Sequence, residues 1–189
     1  MKVLAPKDEN ELGRMLKTAL SLEGPVALRY PRGEGLGAAL EEPFTPLESL
    51  AAEVLEEEGE IALLAVGSMV DAAQKTAKLL QEEGLSAAVV NMRTVKPLDE
   101  ELLHRMAHEK KMLVTMEENA LAGGFGSAVL EALADAGLLV PVVRFGIGDA
   151  FIEQGKPQEL LEMAGLLPEQ MARSILTAWK GARDGEGAA

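Results

Sequence analysis

Cysteine is absent from all 189 residues, which excludes disulfides, a thiol nucleophile, an iron–sulfur cluster and cysteine-ligated zinc. Aromatic residues are nearly as scarce: one Trp, one Tyr and four Phe leave little surface for stacking bases. Basic residues are outnumbered, with 18 Lys and Arg against 31 Asp and Glu for a formal net charge of -13. A nucleic-acid partner is thereby disfavoured, because it requires clustered Lys and Arg to release counterions from phosphates. No apolar run approaches the roughly 18 residues of a membrane-spanning helix, and the N-terminus has no signal-peptide pattern. A cytoplasmic chain without a membrane partner is expected. Neither a Gly-x-x-x-x-Gly-Lys-Ser/Thr loop nor a Gly-x-Gly-x-x-Gly fingerprint occurs, so nucleotide binding has no support. The acids fall in short runs such as Glu53 to Glu60, read as solvated helical faces that keep the chain soluble.

At 48% hydrophobic residues, the chain can bury one good core and a fragment of another. A short strand (Lys2 to Ala5), a helix (Glu9 to Leu22) and a second strand (Pro25 to Arg29) form one βαβ unit. Asp8 is a natural N-cap with Glu11 three residues on, and Leu12, Met15, Leu16, Ala19 and Leu20 share one helical face. The unit is too small to fold alone, so disorder or self-association through its apolar face is expected of it. Gly33 to Leu50 is a Gly/Pro/Glu-rich connector, in which Pro43 and Pro46 oppose a helix or a central strand. Strands and helices then alternate: strands at 60–66, 86–92, 112–116 and 140–147, helices at 70–83, 99–110 and 124–136. Such alternation predicts an α/β fold, a three-layer αβα with a mostly parallel sheet, since parallel neighbours need crossover helices. Two further helices, at 157–164 and 168–180, close the chain.

The most informative motif is Arg29-Tyr30-Pro31-Arg32-Gly33, which places two guanidinium groups at the exit of the strand Pro25-Val26-Ala27-Leu28. Ligands meet α/β proteins at strand ends, and the planar fork of Arg matches phosphate oxygens. On local chemistry alone, the same arginines suit an exposed loop paired with Glu34, Glu41 or Glu42. Gly67-Ser68-Met69 reads as a βα turn, although a helix N-terminus can hold an anion. Glu117 and Glu118 are adjacent on a strand and point to opposite faces, which argues against an acid–base pair. In Gly123-Gly124-Phe125-Gly126-Ser127 the glycines allow a helix to approach a strand closely. His104 and His108 have zinc-ligand spacing but no third ligand nearby, so an exposed helix face is the preferred reading. Asp99 is a candidate N-cap.

Taken in order, Asp8-Glu9-Asn10-Glu11, Arg29 to Gly33, Arg93-Thr94-Val95-Lys96-Pro97-Leu98-Asp99, Glu117-Glu118-Asn119, Gly123 to Ser127 and Gly146-Ile147-Gly148-Asp149-Ala150-Phe151 with Gln154-Gly155 closely resemble the C-terminal part of the 1-deoxy-D-xylulose-5-phosphate synthases. These are thiamine-diphosphate enzymes of the transketolase superfamily. Gly148 stands where the family usually has Pro, and Gln154 where many members carry His. The resemblance implies that residues 1–40 end a pyrimidine-binding domain, 41–49 are a linker, 50–180 form a transketolase C-terminal domain and 181–189 are a disordered tail. It implies a homodimeric transferase that condenses pyruvate with glyceraldehyde 3-phosphate, with loss of CO2, for isoprenoid, thiamine and pyridoxal biosynthesis. Carried over from the family motif, the acceptor phosphate contact falls on Arg32, with Arg29 as helper. No Gly-Asp-Gly metal motif, activating glutamate or channel histidine is matched. Thiamine diphosphate and Mg2+ are therefore expected in a longer enzyme and not on this chain, which carries no catalytic, cofactor-binding or metal-ligating residue and is expected to be inert alone. The alternatives are the C-terminal domain of a 2-oxo acid dehydrogenase beta subunit or of a transketolase proper, and a non-catalytic dimerisation module.

Overall fold

The computed structural model describes residues 1–186, with side chains as far as residue 183. In chain order the elements are β1 (Lys2–Leu4), α1 (Glu9–Ser21), β2 (Val26–Leu28), β3 (Glu53–Glu56), β4 (Ile61–Ala65), α2 (Met69–Glu82), β5 (Ala87–Asn91), β6 (Thr94–Lys96), α3 (Glu100–Glu109), β7 (Met112–Ala120), α4 (Phe125–Asp135), β8 (Val142–Ile147), α5 (Pro157–Met163) and α6 (Pro168–Glu186).

The larger sheet has the order β3-β5-β4-β7-β8. β4 is apolar at every position because both of its faces are covered. Ile61, Leu63 and Ala65 meet Val70, Ala73 and Leu80 of α2 and Met171 and Ile175 of α6. Ala62 and Leu64 meet Leu103 and Met106 of α3 and Phe125 and Val129 of α4. β4 pairs in parallel with β5 and β7, and β7 with β8, which gives the expected three-layer αβα arrangement. At about 25 cal/mol per Å2 of buried apolar surface, these two clusters supply most of the driving force for folding.

Two strands escape the sequence reading. Glu53–Glu56, expected on a solvated helical face, is an edge strand antiparallel to β5. Val54 packs on one core cluster and Leu55 on the other, and this alternation outweighs the acids, which an edge tolerates. Thr94–Lys96 pairs antiparallel with β1 to complete a second sheet, β2-β1-β6.

That pairing overturns disorder, one of the two outcomes expected of the first unit. β1 lies between β2, its parallel neighbour, and β6, which comes from beyond the connector. Ala5 enters the main core, and Leu4, Met15 and Leu47 form a smaller one. The connector runs alongside α1 and is anchored at each turn: Glu9 Oε1 accepts from Gly37 N at 2.7 Å, Asn10 Oδ1 from Glu41 N at 2.8 Å, Arg14 Nε donates to Thr45 O at 3.3 Å, and Thr18 Oγ1 accepts from Leu47 N at 2.8 Å. At the other end, α6 continues to Glu186 rather than stopping at Lys180, because Ala182 still packs against the core. The remaining part of the expected tail, residues 187–189, lies outside the described residues.

Candidate phosphate-binding site

In an open parallel sheet the ligand crevice opens at the carboxyl ends of the strands where the chain reverses its direction of travel across the sheet. Here β4 is followed by β5 on one side and then by β7 on the other, so that point lies between β4 and β7. Arg29, at the exit of β2, reaches it. One Nη donates to Glu118 O at 3.0 Å, and the other lies 3.6 Å from the place a Cβ would occupy on Gly67, in the turn after β4. Arg29 is half-buried and braces the first unit against the main sheet.

Arg32 takes a different position. It is exposed, and among the described residues no carboxylate pairs with it. Its neighbours Pro31 and Gly33, with Lys7, Glu9, Glu34 and Ser68, line a cleft of about 300 Å3 between the β2 exit loop, the start of α1 and the start of α2. Ser68 Oγ is buried there without a hydrogen-bond partner. Glu41, one of the alternative partners read from the sequence, instead lies 3.6 Å from Arg14.

The charges around the cleft are largely committed. Asp8 caps α1 by accepting from Glu11 N at 2.7 Å and takes a 2.9 Å bond from Lys7 Nζ. Burial favours the neutral acid at Asp8, but the Glu11 N–H and the Lys7 ammonium outweigh it and hold the carboxyl below its ordinary range. Burial likewise opposes the Lys7 charge, and the Asp8 bond together with Glu11 and Glu53 outweighs that and raises its pKa. Glu9 is held below its ordinary range by its own N–H and that of Gly37.

Behind the cleft lies a polar cluster that the sequence reading did not assemble. Glu11, only 3% exposed, accepts from Lys7 N at 2.7 Å, from Asn91 Nδ2 at 3.0 and 3.1 Å, and from Arg93 Nε at 2.9 Å. Arg93 also meets Glu53 at 3.3 Å and has a φ of 55°, costly for a residue with a side chain. The sequence signal was the pairing of Asp8-Glu9-Asn10-Glu11 with Arg93, two motifs read separately because they are 82 residues apart.

The other candidates are structural. Glu117 is fully buried and accepts from Phe125 N at 2.7 Å and Gly126 N at 2.8 Å. It thereby caps α4, whose N-cap residue Gly124 has no side chain to do so. An added Cβ on Gly124 would overlap Glu117, and one on Gly126 would overlap Thr115, so the glycine run does serve close packing. Asp99 caps α3 through Leu102 N at 3.0 Å and also binds Ala52 N at 2.8 Å. Among the described residues no group of three His, Cys, Asp or Glu is placed to hold a metal, His104 and His108 included.

Comparison with known proteins agrees with this architecture. Residues 50–171 match the family described as the transketolase, C-terminal domain, and the chain belongs to that family. Its curated relatives narrow the likeness to 1-deoxy-D-xylulose-5-phosphate synthases. That of Symbiobacterium thermophilum is 51% identical over 173 residues, 92% of this chain and 27% of that protein. Those of Thermosynechococcus vestitus and Prochlorococcus marinus (strain MIT 9211) are each 50% identical, over 93% and 92% of this chain. The chain thus spans little more than a quarter of the length of these relatives. Among solved structures, one described as a split gene transketolase, inactive beta4 tetramer, superposes with a TM-score of 0.81 at 34% identity over 94% of this chain and 57% of that one. Campylobacter jejuni transketolase shares the fold at a TM-score of 0.69, with 22% identity, 93% of this chain and 26% of its own.

Proposed function

We propose that this chain supplies the C-terminal part of a 1-deoxy-D-xylulose-5-phosphate synthase, and that Arg32 binds the phosphate of the acceptor, glyceraldehyde 3-phosphate. The observation that carries the reading is Arg32, exposed and without a carboxylate partner among the described residues, beside a cleft near the carboxyl ends of the strands, in a chain about 50% identical to these synthases. Arg29 acts from behind. Its bond to the Glu118 carbonyl sets the direction of the loop, and it contributes positive potential rather than a direct phosphate contact.

Thiamine diphosphate and Mg2+ do not fit the cleft described. Asp8 and Glu9, two of its carboxylates, are engaged by backbone amides and Lys7, and no group of three metal-ligating side chains is placed there among the described residues. The reading therefore assigns the cofactor to the portion of the enzyme outside this chain, as the remainder of a pyrimidine-binding domain would supply, with residues 1–40 as its closing unit and 50–180 as the C-terminal domain. Leu16 and Leu20, one turn apart on α1 and 53% and 82% exposed, offer a surface for that remainder. The complete enzyme is a cytoplasmic homodimer on this reading.

Two measurements test it. Arg32→Ala in the full-length enzyme should raise the KM for glyceraldehyde 3-phosphate by the equivalent of about 1.5–3 kcal/mol, the worth of a hydrogen bond to a charged group. An unchanged KM removes the phosphate assignment. The chain by itself should release no CO2 from pyruvate in the presence of the acceptor, and turnover by the purified chain contradicts the reading.

A further inference from the structure

The Arg32 loop is held at both ends, and the second anchor has no role in the reading above. On its N-terminal side Arg29 is bonded to Glu118 O. On its C-terminal side the carboxylate of Glu9 sits among consecutive backbone amides: Oε1 accepts from Gly37 N at 2.7 Å and Oε2 faces Ala38 N at 3.5 Å. Gly37 has a φ of 76°, a left-handed conformation that favours glycine, and its N–H and that of its neighbour both meet the carboxylate. The backbone at Gly35 passes so close that an added Cβ would overlap the Glu9 carboxyl group. Glu9 therefore occupies an amide nest of the kind that captures free anions, here with an internal one. Between the two anchors only residues 30–36 remain; Arg32 lies among them, and its neighbours on both sides line the cleft.

We propose that Glu9 is a positioning residue for phosphate recognition: by filling the nest at Gly37 and Ala38 it fixes the reach of the Arg32 guanidinium. The inference rests on the phosphate reading of Arg32. Glu9 touches no substrate. Its charge would repel a phosphate dianion if it were free, and the nest offsets that charge with backbone donors. The depressed pKa of Glu9 agrees with a carboxylate that remains ionised in this seat.

Two substitutions reach the same state by different routes. Glu9→Gln removes the charge and keeps the size; Gly35→Ala leaves Glu9 intact and pushes its carboxyl group out of the nest. In the full-length enzyme both should raise the KM for glyceraldehyde 3-phosphate roughly tenfold, more than they lower kcat, and should leave the KM for unphosphorylated glyceraldehyde nearly unchanged, since displacement of a positioning group by an ångström costs up to about 100-fold. The Gly37 amide should exchange with solvent faster in both. If Gly37 exchange is unaltered, Glu9 does not hold the loop, and the inference is overturned. It is equally overturned if exchange accelerates while the KM values stay together. Arg32→Ala, measured alongside, separates the two ideas: a normal KM in that variant removes the phosphate reading and this inference with it, whereas a raised KM there with normal values in Glu9→Gln and Gly35→Ala removes the inference alone.

Discussion

At the scale of single residues, the chain uses buried carboxylates as caps for backbone amides. Glu117 shows this most plainly, because both of its oxygens are taken by the first amides of α4. Glu117→Gln keeps the shape but sets an amide NH2 against a backbone N–H, and should cost about 1–3 kcal/mol of stability, measured by urea unfolding. Asp8 and Glu9 make the chain sensitive to acid. Both have folded-state pKa values depressed below their ordinary 3.8 and 4.5, so the folded state binds fewer protons than the unfolded one. Their contribution is complete above the ordinary carboxylate range and disappears as pH falls through the depressed values. The urea midpoint should accordingly drop below about pH 4.5, and a variant lacking both groups, Asp8→Asn with Glu9→Gln, should show a shallower drop. An equal slope in the two proteins contradicts the assignment.

At the scale of elements, the joint between the first unit and the main sheet is the point of greatest electrostatic investment. Glu11→Ala leaves Asn91 and Arg93 without their buried acceptor and should cost about 3–5 kcal/mol. A double-mutant cycle with Arg93→Ala should give a coupling of about 1–3 kcal/mol, and a value near zero would mean that the pair only coexists. The same joint shows what could be read in advance. The parallel strands and their crossover helices were legible because β4, β5 and the first half of β7 are largely apolar runs separated by amphipathic helices, and caps such as Asp8 and Asp99 announced helix starts. The strands β3 and β6 were not. One is masked by acids that an edge position tolerates, and the other has three residues in a turn-like string, made a strand only by the distant β1. Arg32 was singled out through its motif, whereas the bonds of Arg29 to Glu118 and of Glu9 to Gly37 join residues 89 and 28 positions apart. Periodicity carries no information about pairs so separated.

At the scale of the whole molecule, the excess of negative charge acts on every element at once. With a net charge of -13, self-repulsion opposes the compact state, and added salt shortens its range from about 30 Å at 0.01 M to about 8 Å at 0.15 M. The melting temperature should therefore rise over that interval of NaCl; a fall would show that ion pairs such as Glu11 with Arg93 dominate instead. The weave of the smaller sheet also limits how the protein can move. Because β1 is threaded between a strand that precedes the connector and one that follows it, the first unit cannot swing away as a rigid body without tearing the main-chain bonds between β1 and β6. If Arg32 serves a phosphate as proposed, adaptation to it falls on the seven residues between Arg29 and Gly37 rather than on a hinge between halves.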